Sequence, residues 1–277
     1  MIFLFSVFSF SNGFSPKQRK KFAKINQWLD VFALLSWGIL LLKYCFTGQL
    51  KLLIHPNFFW LVLATGIILL ILSLTKGIAC LTSNAEVGDK NDHIVLFPPG
   101  LGSIVLIVVA LAGFAIAPNV LSSQAALQRG VAENLPLTRS EPQAFYTSIK
   151  PEERSLLDWV RTLNAYPEPD AYAGQQAKVK GFVVHLPQLP EDYLLISRFV
   201  ITCCAVDAYP VGIPVKLATN RAVYPPDTWL TIEGEMISET LSLNREMMNE
   251  TAQAERQLVL AAKSIEVIPT PADPYDY

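Results

Sequence analysis

The run Phe58–Thr75, FFWLVLATGIILLILSLT, places eighteen uncharged residues in succession. At a helical rise of about 1.5 Å per residue, such a run crosses most of a roughly 30 Å hydrocarbon core. Its aromatic start, Phe58-Phe59-Trp60, suits a membrane interface. On its N-terminal side, Trp28–Phe46 is of similar length and carries Asp30 and Lys43, each near enough to an end to reach the headgroups. On its C-terminal side, Ile94–Pro118 again has no charge, and the Pro98-Pro99-Gly100 break predicts a regular helix from about Leu101 to Ala117. The expectation is a membrane α-helical N-terminal part of three transmembrane helices.

Composition supports the division. Of 277 residues 17% are charged, against roughly a quarter in ordinary soluble domains. Residues 1–118 carry nine Lys/Arg and four Asp/Glu, a net of +5, whereas residues 119–277 carry thirteen and twenty, a net of −7. No nucleic-acid partner is expected, because the part that would meet a polyanion is itself negative. The predicted organisation is an apolar leader and basic arm over 1–25, a transmembrane domain over 26–118, a connector over 119–150 and a β domain over 151–277.

Lys and Arg in short flanks are retained on the cytoplasmic side. Lys17, Arg19, Lys20, Lys21 and Lys24 precede the first span and form a denser basic cluster than either later loop. The N-terminus is therefore expected inside, and three crossings place everything after Pro118 outside. The first fourteen residues, MIFLFSVFSFSNGF, are apolar but too short to span and lack a basic n-region. They read as a leader or a start-site artefact; as a fourth crossing they would reverse the orientation.

Within the C-terminal part, Pro151-Glu152-Glu153 has the residues of a helix first turn, and Leu156, Leu157, Val160 and Leu163 follow at helical spacing before Pro167 and Pro169. The period then changes towards two. Strands are predicted at Gln176–Leu186, Tyr193–Thr202, Val211–Thr219, Thr228–Ser238 and Leu258–Ile268, with Glu239–Arg256 as a longer insertion or helix. A preceding short helix and five strands suit a small barrel of the oligonucleotide/oligosaccharide-binding (OB) type, and a small open sandwich fits the same pattern.

The chain contains no phosphate loop, dinucleotide fingerprint or nucleophile elbow. No enzymatic activity is expected. The most distinctive chemistry lies in Arg198–Ala208, RFVITCCAVDA, where a strand runs into Cys203 and Cys204 with Asp207 three positions on. Two thiolates and a carboxylate suit a soft or borderline divalent metal such as zinc, with His185 the sole histidine able to join them from the same domain. Adjacent cysteines are poor spacing for a structural zinc site. The pair also fits buried thiols beside an Asp that caps a turn, or a strained vicinal disulfide with redox work. An ion pair between Arg198 and Asp207 across the turn is a further expectation. Cys45 and Cys80 fall on opposite sides of the predicted membrane and cannot pair, and His55 and His93 are likewise separated.

Gly48–Pro56 (GQLKLLIHP), Gly181-Phe182-Val183, Arg198–Val215 (RFVITCCAVDAYPVGIPV) and Pro274–Tyr277 together resemble the YcgQ-like family of two-component membrane permease subunits. The resemblance runs from about Lys24 onward. It implies a bacterial plasma membrane location, a lipid-embedded N-terminal part, a soluble C-terminal domain and a multi-pass permease-like partner. Its recurring segment falls on Arg198, Cys203, Cys204, Asp207 and Gly212. The implied function is an accessory permease subunit whose outer domain gates or captures solute or mediates assembly; a metal-delivery module and a thiol redox component are the competing readings.

Overall fold

The computed structural model describes residues 16–82, 100–130, 150–241 and 255–277. The chain divides into two compact units, Met1–Pro118 and Asn119–Tyr277.

The first unit is built from α1 (Pro16–Phe46), α2 (Phe59–Thr82) and α3 (Leu101–Ala115). Two stretches, 22–46 and 56–82, are long and apolar enough to cross a membrane, whereas the apolar α3 has 15 residues. At about 1.5 Å per residue α3 extends roughly 22 Å, short of a full hydrocarbon core by itself. The expected leader over 1–14, His93 and the segment before Gly100 lie outside the described residues. The basic cluster falls on the first turns of α1.

Helix α1 is the hub, packed on both α2 and α3. Its approach to α2 is close because small residues meet: a Cβ on Gly38 would stand 2.8 Å from Leu70 Cδ2 and 3.2 Å from the Gly66 carbonyl oxygen. Such contacts are how helices associate where lipid removes any hydrophobic drive between them. Polar bonds add specificity on the other side, where Trp37 Nε1 donates to the Leu106 carbonyl (3.0 Å) and Tyr44 OH to that of Gly113 (2.7 Å). Asp30 joins all three helices, pairing with Lys76 of α2 at 3.2 Å and accepting a hydrogen bond from Ser103 of α3. The sequence reading of Asp30 as an interface anchor is thus incomplete, because it is also the polar tie of the unit.

The second unit contains α4 (Ser123–Arg129), α5 (Leu156–Ala165) and strands β1 (Gln176–Val184), β2 (Tyr193–Val200), β3 (Tyr209–Lys216), β4 (Trp229–Leu241), β5 (Glu255–Ile268) and β6 (Tyr275–Asp276). The stretch expected to be a connector contributes α4 to this unit, and 131–149 lie outside the described residues. Pro151–Glu153 forms a separate 3-10 turn, because Ser155 starts the true helix with a capping box: its Oγ accepts from the Asp158 N–H and Asp158 Oδ2 accepts from the Ser155 N–H. Strand β4 runs to Leu241 and β5 begins at Glu255, so most of the expected insertion falls outside the described residues.

Antiparallel pairings link β4 to β1, β1 to β2, β2 to β3 and β4 to β5, while β3 and β5 are parallel. Each of these five strands therefore has two neighbours in a ring of pairings. The short β6, which the sequence reading lacks, runs parallel to β2 at Phe199 and Val200, just past the last β1 pairing at Ser197. Close packing beside Ser197 needs glycine on both neighbours: a Cβ on Gly181 would lie 2.5 Å from the Ser197 carbonyl oxygen, and one on Gly212 2.9 Å from that of Ile196. The interior is filled by Val179, Val183, Leu194, Ile196, Val211, Ile213, Leu230, Ile232 and Leu260, with Leu156, Leu157, Trp159 and Val160 of α5 in the same core. A second cluster contains the buried rings of Phe182, Phe199, Trp229 and Tyr275; Phe182 and Phe199 stack at 5.5 Å between centroids and Tyr275 meets Phe199 edge-on.

Candidate functional site

The Cys-Cys segment is the connection between β2 and β3. Strand β2 ends at Val200, and Ile201 N–H donates to the Asp276 carbonyl of β6 at 3.0 Å. The chain then folds around Asp207. Its Oδ2 accepts from Thr202 Oγ1 (2.8 Å) and Cys203 N–H (2.9 Å), its Oδ1 from Cys204 N–H (2.9 Å), and its own N–H donates to the Cys204 carbonyl (3.1 Å). A short acidic side chain that takes up successive backbone N–H groups is the usual way such turns are fixed. Burial alone would raise the Asp207 pKa, but the hydrogen bonds from Thr202, Cys204 and Cys203 outweigh it and hold the carboxyl below its ordinary range.

The turn is also held from α4. Arg129 Nη1 donates to the Ala205 carbonyl at 3.1 Å and to that of Ala208, and its guanidinium lies 6.0 Å from the Phe199 ring centroid. The sequence gives no sign of this role, since 119–150 reads as a connector. Tyr275 OH accepts from Leu121 N–H at 3.0 Å, so the start of the α4 segment is tied to β6.

Cys203, Cys204 and Asp207 each place a ligand-type atom within 4.8 Å of the others. All four cysteines are free, Cys203 exposed and Cys204 half-buried. Of the structural alternative, the turn-capping Asp is present, but the thiols are not core hydrophobes. The Cys203 thiol is pushed up to about 11, first by its hydrogen bond to Asp207 and then by the adjacent Cys204 thiol. Reactive cysteines are instead depressed to roughly 3.5–7.5. The hydrogen bond to Asp207 thus favours the protonated thiol of Cys203.

His185 does not join the cluster; its Nε2 lies 2.9 Å from the Tyr224 carbonyl oxygen. Arg198 does not pair with Asp207. It binds Asp276 at 3.2 Å and donates to the carbonyls of Asp273 (2.9 Å) and Tyr275 (3.2 Å), because it stands beside β6 while the local donors occupy Asp207. Burial raises the Asp276 pKa, with Arg198 opposing the shift. Gly212 is a packing position in β3, as described above. Of the predicted residues, Cys203, Cys204 and Asp207 thus form one site, Arg198 belongs to the β6 clamp, and Gly212 and His185 lie elsewhere in the fold.

Two family models match the chain, the DUF1980 N-terminal domain over residues 29–132 and the DUF1980 C-terminal domain over 139–277. The chain belongs to the DUF1980 family. No curated protein and no solved structure matches it. The DUF1980 N-terminal match extends through α4, although α4 packs with the unit that carries the DUF1980 C-terminal domain. The boundary between the two DUF1980 domains in sequence is therefore offset from the boundary between the compact units.

The depressed Asp207 pKa has a signed consequence. Such a group stabilises the fold above the unfolded carboxylate range, and that contribution is lost as pH falls through its folded value. Asp207→Asn is expected to cost about 1 kcal/mol at neutral pH, the size of a lost cap. The variant should also lose part of the acid-side decline, as thermal midpoints of both proteins across neutral to mildly acid pH would show.

Proposed function

We propose that this protein is a membrane-anchored accessory subunit of a two-component permease, as the resemblance to the YcgQ-like family implies, with its β unit outside the plasma membrane. The observation that carries the reading is the Asp30–Lys76–Ser103 tie. A solute path is normally marked by ionisable groups facing a cavity. Here Lys76 is the only charged residue of α2, α3 has none, and Lys76 is engaged with Asp30. These helices serve as an anchor and docking element, and the path belongs to a multi-pass partner.

The topology reading adds α3 as a third crossing and keeps the Lys17–Lys24 cluster inside. For the β unit, the pairing ring β1-β2-β3-β5-β4 with one parallel contact, β3 to β5, supports an OB-type barrel. The assigned role includes no catalytic step and no nucleic-acid partner. Purification of a tagged chain in gentle detergent tests it: a multi-pass membrane protein is expected in fixed stoichiometry. Recovery of the chain only as a monomer across expression conditions would contradict it.

A further inference from the structure

The geometry points to an exposed, exchangeable site for a soft or borderline divalent cation, formed by Cys203 Sγ, Cys204 Sγ and a carboxylate oxygen of Asp207. Cysteine is among the residue types most often buried, and an exposed free thiol is a liability that folds usually avoid. Cys203 is nevertheless exposed and Cys204 half-buried, on a turn that Thr202, Asp207 and Arg129 fix from several directions. Packing does not account for two sulfurs in that place.

The donor set fits the chemistry. The Asp207 carboxylate accepts from the Cys203 and Cys204 N–H groups, from Thr202 Oγ1 and from the Cys203 thiol, and loss of that thiol proton to solvent on binding frees the lone pair it occupied. The three ligand atoms lie within 4.8 Å of one another. Metal–ligand bonds of about 2.0–2.3 Å in a tetrahedron need ligand atoms roughly 3.5 Å apart. Closing that difference takes side-chain rotation of the exposed Cys203, with the backbone already placed. Three protein ligands leave a fourth position open, the arrangement of exchangeable rather than closed structural sites. A divalent ion with two thiolates and a carboxylate has one net negative charge, and the Arg129 guanidinium on the same turn offsets it.

Binding involves no change of oxidation state. Two S–H bonds break, two metal–sulfur bonds form, and two protons pass to solvent. Affinity therefore rises with pH.

Cadmium titration of the reduced full-length protein in detergent, followed by the thiolate-to-metal ultraviolet band and by proton release, tests the site. A Cys45→Ser/Cys80→Ser background should bind one cadmium ion and release two protons. Adding Cys203→Ser and Cys204→Ser should abolish the band, and Asp207→Asn should weaken binding by at least the ~10–100-fold that even an outer-shell partner costs. Circular dichroism checks the fold of each variant, and alkylation of both thiols on the folded background protein provides a second route to the same loss. No band in the background protein, or a band that survives serine substitution or alkylation at both positions, would overturn the assignment. The result is independent of the accessory-subunit reading, which co-purification decides separately.

Discussion

Phe199→Ala is expected to destabilise the β unit by about 3–5 kcal/mol, the range for removing a fully buried aromatic ring. Phe199 is wholly buried, stacks on Phe182 at 5.5 Å and 14°, meets Tyr275 edge-on and lies beneath the Arg129 guanidinium. Its loss removes apolar burial and at the same time loosens the two short elements, α4 and β6, that pack over this side of β2. Neither can hold its place alone: α4 has seven residues and β6 two. Thermal unfolding of the full chain in detergent should show a lowered midpoint for the β signal, and proteolysis within 119–130 should begin earlier. A loss below about 1 kcal/mol would mean that the ring is not the keystone of this cluster.

The second large effect is expected at Asp30. Asp30→Leu strands Lys76, whose cost at a helix centre is about 2.5–3.5 kcal/mol on insertion scales and smaller towards a helix end. A loss of one or two kcal/mol lowers steady-state abundance several-fold. The amount of full-length protein in the membrane fraction should fall accordingly. Exchanging the charges, Asp30→Lys with Lys76→Asp, should restore most of it, because the 3.2 Å contact is kept with the signs reversed. If the exchanged pair is no better than Asp30→Leu, the contact is incidental to the helical unit.

Much of this architecture is legible in the sequence for physical reasons. Helix α2 shows in Phe58–Thr75 because a long uncharged run has few other uses, and five strands show because alternation and Pro, Gly or Asn breaks bracket them. What the sequence conceals is the short and the long-range. The residues of α4, all but Leu127 polar or small, look like a connector, since their packing depends on Arg129 meeting carbonyls on the β2–β3 turn. Two residues of β6 have no period to detect. Nearness in the chain makes Arg198 and Asp207 look like partners, yet Arg198 finds Asp276, which the fold brings alongside β2. Cys203, Cys204 and Asp207 are visible in the sequence as a chemical set; the exposure of Cys203 is not, and it is the exposure that favours a ligand site over a packing role.

Labelling of Cys203 with a membrane-impermeant maleimide tests most directly the claim that the β unit lies outside the membrane. The thiol is exposed, and a Cys45→Ser/Cys80→Ser background leaves only Cys203 and Cys204 to react. With a chelator present to clear any bound metal, intact cells should label as fully as permeabilised ones. Labelling that appears only after permeabilisation would place the β unit in the cytoplasm and contradict the account.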